Sequence, residues 1–155
     1  LTVKEAVRQP VVLVAEDRED DALMLQRAFR QLGLNTPVQY VTDGEQAIAY
    51  LTGHGAFSQR EEYPLPDLLL LDLKMPRKDG FDVLNWIQTV PLLCRLRTVV
   101  LTTSEDSFEI NRAYQLGAAS FLTKPVSLNE FVEIVKAVTG YWLGTNRSPL
   151  IERPR

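Results

Sequence analysis

Three apolar runs without polar alternation punctuate the chain: Val11-Val12-Leu13-Val14-Ala15, Leu68-Leu69-Leu70-Leu71 and, inside Thr98 to Thr102, Val99-Val100-Leu101. Such runs predict strands buried on both faces, as in a parallel sheet covered by helices. Val38 and Tyr40, with Val41, and then Ser120-Phe121-Leu122-Thr123 supply two shorter strands. Between the strands the apolar spacing changes to three and four residues. Leu23, Leu25, Ala28, Phe29 and Leu32 lead to Gly33; Ala47, Ile48 and Leu51 lead to Gly53; Phe81, Val83, Leu84 and Ile87 follow Gly80. A fourth helix is expected from the Ser104-Glu105-Asp106 start to Leu116-Gly117, and a fifth carries Leu128, Phe131, Val132, Val135 and Val138. Thr42 with Glu45, and Ser127 with Glu130, have the spacing of capping boxes.

Five strands alternating with five helices predict an α/β three-layer sandwich, (βα)5, with a parallel sheet and right-handed crossovers. The favoured strand order is 2-1-3-4-5, the flavodoxin-like arrangement. The expected organisation is a polar leader at 1–10, one domain at 11–143 and a C-terminal extension at 144–155. His54 to Pro66 is read as a polar surface insertion in the crossover before the leucine run, and its histidine as a solvated loop residue. Tyr141, Trp142, Leu143, Leu150 and Ile151 lie past the last regular helix and need burial somewhere. Trp86 and Trp142 fit either a core or an interface, and Cys94, among leucines, reads as an inert packing residue.

Composition narrows the class. With 155 residues, 45% of them hydrophobic and 24% charged, the chain suits one domain with a sizeable core. A net charge of -3 lacks the basic footprint of a nucleic-acid binder. One cysteine excludes an internal disulfide, and no apolar run is long enough to span a membrane, so the expected setting is cytoplasmic.

The strand ends carry the candidate chemistry. Glu16 and Asp17 follow the first strand, Asp72 the third, Thr102 the fourth and Lys124 the fifth, and in a parallel sheet these ends share the edge where ligands bind. Taken alone, Asp72 could equally cap the next turn. Three carboxylates in one pocket repel one another unless a cation joins them, and Mg2+ suits oxygen donors and phosphate. A lysine and a threonine hydroxyl would meet phosphoryl oxygens. A hydrolase with a strand-end Asp nucleophile usually needs a second acid two residues on, where this chain has Lys74. A dinucleotide site needs a glycine-rich turn after the first strand, and Glu16-Asp17-Arg18-Glu19 has none.

Ala15-Glu16-Asp17, the Asp72-Leu73-Lys74-Met75-Pro76 turn with Gly80, Leu101-Thr102 and Lys124-Pro125 together resemble the signature of response-regulator receiver domains over Val11 to Val138. The resemblance implies that Asp72 accepts a phosphoryl group, that Glu16, Asp17, Asp72 and the Lys74 carbonyl bind Mg2+, and that Thr102 and Lys124 contact the phosphoryl group. It implies a signalling protein rather than an enzyme, one that promotes its own phosphotransfer and dephosphorylation. Thr102 and Phe121 would form its switch, unless Phe121 is only a core aromatic. The Gly53 to Pro66 insertion, Leu101-Thr102-Thr103-Ser104 and Tyr141-Trp142 are most similar to the stand-alone regulators of bacterial phytochrome histidine kinases. That likeness implies a sensor histidine kinase of phytochrome type as partner and no output domain. It also implies a homodimer through the fourth helix, fifth strand, fifth helix and C-terminal extension, with no direct contact to nucleic acid or membrane. Arg18 departs from the Asn common after the acidic pair, and either reaches the phosphoryl group or points to solvent. A receiver-fold scaffold that never takes phosphate is the remaining rival.

Overall fold

A computed structural model describes residues 9–93 and 96–146. Cys94, Arg147, Leu150, Ile151 and most of the expected leader lie outside the described residues. In chain order the elements are β1 (Val12–Ala15), α1 (Glu19–Gln31), β2 (Val38–Val41), α2 (Gly44–Thr52), β3 (Leu68–Leu71), α3 (Gly80–Gln88), β4 (Arg97–Thr102), α4 (Ser107–Gln115), β5 (Ser120–Thr123) and α5 (Leu128–Thr139). All four strand pairings are parallel and the order is β2-β1-β3-β4-β5, as the alternation predicts.

The leucine run shows why a central strand carries no polar alternation. Leu69 and Leu71 join the core beneath α2, α3 and α4, with Leu13, Ala15 and Val100 beside them. Leu68 and Leu70 point the other way, into the core of α1 and α5 with Val12, Val14 and Val99. Each buried leucine contributes about 1.5–3 kcal/mol relative to exposure, and a polar residue on either face would forfeit that contribution.

Two helix starts differ from the expected ones. In α2 the cap is Asp43, one residue after Thr42: its carboxylate accepts from the Gln46 N–H, while the Gln46 side chain accepts from the Thr42 N–H. In α4 the cap is Asp106, two residues after Ser104, accepting from the N–H groups of Phe108 and Glu109. Both stretches hold several residues able to cap, and the one in extended backbone just before the first helical residue takes the role. Ser127 caps α5 as expected.

The 54–66 insertion is more firmly held than its polar composition suggests. A single 3-10 turn (Gly55–Phe57) brings Phe57 against Tyr50, with ring centroids 5.2 Å apart, and Tyr63 lies edge-on to both. Arg60 donates to the carbonyls of Tyr50, Leu51 and Tyr63 at 2.6–3.0 Å, tying the loop to the C-terminal turn of α2, where the Tyr50 carbonyl also accepts from the Gly53 N–H. Past α5 the chain continues as a π-helical turn (Gly140–Thr145). Trp142 and Leu143 pack from it onto the α1 and α5 core, leaving Tyr141 about half exposed. Trp86 packs on the opposite core, so both tryptophans are partly buried against the domain itself.

Replacing Arg60 by Ala is expected to destabilise the protein by about 1–3 kcal/mol, because three part-buried carbonyls lose a charged donor. Urea unfolding measures it; a loss below about 0.5 kcal/mol would show that water replaces the guanidinium without cost.

Candidate functional site

Parallel strands deliver their C-terminal residues to one edge, and there the chain gathers Glu16, Asp72, Thr102 and Lys124. Lys124 follows β5, and its backbone N–H donates to the Thr102 carbonyl at 2.7 Å, so the lysine extends the β4–β5 ladder by one bond. Its side chain turns back into the edge. The ammonium nitrogen lies 2.6 Å from Glu16 Oε2, 2.7 Å from Asp72 Oδ2 and 2.9 Å from Asp21 Oδ2. The three donors of an ammonium are thus matched by three carboxylates.

Both Glu16 (4% exposed) and Asp72 (5%) are buried, whereas Asp17 is exposed at the mouth. One ammonium among Glu16, Asp21 and Asp72 leaves surplus negative charge. The Glu16 carboxyl is pushed up to about 7, chiefly by burial and further by the charge of Asp72, against the hydrogen bonds from Lys124 and the Arg18 N–H. Burial would lower Lys124, but its bonds to Asp72, Glu16 and Asp21 prevail and raise it above the ordinary lysine value.

One oxygen from each of Glu16, Asp17 and Asp72 lies within 4.8 Å of the others, so these residues could hold a metal ion. Hard oxygen donors with surplus charge fit a divalent cation of the Mg2+ or Mn2+ kind, and the buried Glu16 would be relieved by one. Lys74, assigned to the metal through its carbonyl, here shows its N–H donating to Asp72 Oδ1 at 3.3 Å, with its side chain in solvent. Thr102 is fully buried and its hydroxyl has no hydrogen-bond partner. A buried hydroxyl so placed costs about 1–3 kcal/mol, which makes it a ready donor at this edge.

Arg18 holds Glu16 by its backbone N–H at 3.0 Å, and its guanidinium is mostly exposed, 3.6 Å from Asp21. Phe121 is half-buried against the α2, α3 and α4 core, and its backbone N–H donates to the Tyr114 hydroxyl at 3.1 Å. Ser104 is buried and its hydroxyl donates to Glu109. His54 stays exposed and is not a member of the acidic group. Sequence reasoning missed Asp21. It sits with Glu19 and Asp20 in the first turn of α1, where acids are favoured by the helix dipole, and nothing in the pattern separates it from them.

Comparison with known proteins accords with this geometry. The profile of the response regulator receiver domain matches residues 12–136. The chain is 37% identical over 147 residues to the probable methanogenesis regulatory protein FilR2 of Methanothrix harundinacea, covering 95% of this chain and 92% of that protein. It is 34% identical over 139 residues to the response regulator Rcp1 of a Synechocystis species, covering 90% and 92%. The crystal structure of the phosphorylated cyanobacterial phytochrome response regulator RcpA superposes with a TM-score of 0.84 at 34% identity, covering 92% of this chain and all of that one. Rcp1 itself has been solved in a Mn2+-bound form, with a TM-score of 0.80 at 33% identity, covering 91% of this chain and 99% of that one.

With Glu16 near 7, the site is expected to bind Mg2+ about tenfold more tightly at pH 8 than at pH 6, since the carboxyl is mostly protonated at the lower value. Calorimetric titration at the two pH values checks this, and equal affinities would overturn it. Without the cation, the Glu16 contribution to stability is fully present below its ordinary 4.5 and is lost as pH rises through about 7.

Proposed function

Because the chain belongs to the response regulator receiver family, we propose that it takes a phosphoryl group onto Asp72 from the phosphohistidine of a sensor histidine kinase. The observation that carries this reading is Lys124, whose ammonium touches Asp72 and Glu16 inside the acidic strand-end pocket. A carboxylate oxygen of Asp72 attacks phosphorus in line; the new P–O bond forms as the P–N bond to the partner's imidazole breaks. Lys124 exchanges its contact with Asp72 for one with a phosphoryl oxygen and neutralises the charge gathering there. Glu16, Asp17, Asp72 and the Lys74 carbonyl would hold Mg2+, which when bound neutralises charge on the transferred oxygens. Water later attacks the acyl phosphate in the same pocket, so the protein promotes its own dephosphorylation without being an enzyme in the ordinary sense.

The added charge, about -1.5 to -2 by analogy with phosphoesters, gives the unpartnered Thr102 hydroxyl an acceptor. Movement of Thr102 toward it opens space beside Phe121, and the face of α4, β5 and α5 changes with the ring. That face already exposes Phe108 (84%) and Val126 (93%), which supports its use as a contact surface, and the switch would control a homodimer built on it and on the C-terminal extension. Likeness to the cyanobacterial phytochrome response regulator RcpA supports a kinase of phytochrome type, and a cytoplasmic setting is proposed with it. No helix among the described residues is long and apolar enough to cross a membrane.

Incubation with a small phosphodonor and Mg2+ is expected to label the wild type and leave Asp72→Asn unlabelled. Equal labelling of the two, or none in either, would overturn the phosphoacceptor assignment. For the dimer, sizing should compare the full chain with one ending at Asn146. A cut after Gly140 would strip Trp142 and Leu143 from the core and confuse folding with assembly. The shorter chain is expected to elute as the smaller species; identical elution would remove the extension from the interface.

A further inference from the structure

The loop between Asp72 and α3 is tied down at both ends, and one tie has no part in the chemistry above. At its base the Gly80 N–H donates to the Leu73 carbonyl at 2.9 Å, and backbone approaches so closely there that a Cβ on Gly80 would lie 2.4 Å from the Asp72 carbonyl oxygen. At its tip the loop reaches the turn between β2 and α2. The Gly44 N–H donates to the Lys78 carbonyl at 3.0 Å, and a Cβ on Gly44 would come within 2.1 Å of that oxygen. Beside this contact Arg77 places Nε at 2.8 Å and Nη2 at 2.7 Å from Asp43 Oδ2, while Asp43 Oδ1 caps α2 at 2.7 Å.

Arg77 is also the only non-glycine among the described residues with a positive φ, 65°. A side chain in the left-handed region carries a steric cost that glycine would not, and here the guanidinium of that side chain makes two contacts with Asp43 that glycine could not. The partner is equally telling. Asp43 is almost completely buried (1% exposed), and a buried carboxylate is stable only when paired. Burial by itself would raise Asp43, but the Gln46 N–H and Arg77 outweigh it and hold the carboxyl below its ordinary value.

We infer that Arg77 is a positioning residue: seated on Asp43, it clamps the loop that follows Asp72 onto the β2–α2 turn and so fixes the segment bearing Lys74. This rests on the proposed assignment of the Lys74 carbonyl to the metal. Arg77 touches neither the metal ligands nor Lys124 in the contacts described; it acts through backbone. A free loop would have to be ordered each time the cation binds, and the clamp orders it beforehand.

The test is calorimetric titration with Mg2+ alone on the wild type, Arg77→Gly, Arg77→Lys and the double variant Arg77→Gly with Asp43→Asn. The double variant leaves no orphaned carboxylate, keeps an oxygen to cap α2 and relieves the strained φ, so its urea midpoint without metal should stay close to wild type. Its Mg2+ affinity is expected to fall about fivefold, with Arg77→Lys recovering less than half. Faster amide exchange at Gly44 in the metal-free double variant is the second expected reading. A double variant that binds Mg2+ as the wild type does, or keeps wild-type exchange at Gly44, overturns the clamp while leaving the phosphoacceptor reading intact. A wild type that binds no Mg2+ overturns the metal assignment, and the clamp with it.

Discussion

One ammonium group, that of Lys124, holds the functional edge of this protein together. It reaches Glu16 after β1, Asp21 in α1 and Asp72 after β3, the last of these 52 residues away and Asp21 103 away along the chain, and it is itself placed by a backbone bond to Thr102. Breaking a buried pair of this kind typically costs about 3–5 kcal/mol, because a charge is left without a partner. Yet the pocket is not neutral: surplus carboxylate remains, and Glu16 registers it by holding its proton to about 7. The same surplus makes the pocket receptive to a cation.

That arrangement depends in turn on the register of β3. Four leucines in succession cannot set their own register, since a shift by one exchanges one leucine for another on each face. Polar contacts at both ends do it instead. The Asp67 carboxylate accepts from the Val11 N–H at 2.8 Å below the strand, and the Asp72 N–H donates to the Ala15 carbonyl at 3.1 Å above it. The carboxylate that ends the strand is held at one height beside Glu16. Apolar burial supplies stability, and hydrogen bonds at the ends supply position.

Much of the protein follows from local pattern. The unbroken apolar runs required a sheet covered on both faces, the three- and four-residue spacings required helices between the strands, and right-handed crossovers then brought Glu16, Asp17, Asp72, Thr102 and Lys124 to one edge. Cap positions were less legible. Thr42 and Asp43, or Ser104 and Asp106, are chemically interchangeable as caps, and only backbone dihedrals choose between them. The insertion lies at the surface as its composition predicts, but its polar average concealed how Phe57, Tyr63 and Arg60 act in concert to hold it against α2.

The sequence by itself determined the layers and the residues brought to the edge, because these depend on periodicity and on which residues end each strand, and it favoured the strand order without fixing it. Tertiary structure alone decided that Asp21 joins Lys124, that the Thr102 hydroxyl is left unpartnered and that Arg77 is strained onto a buried Asp43. Each of these depends on the distance between side chains from different crossovers. Such distances are set by how helices lie on the sheet, to within an ångström or so, and no repeat along the chain encodes them.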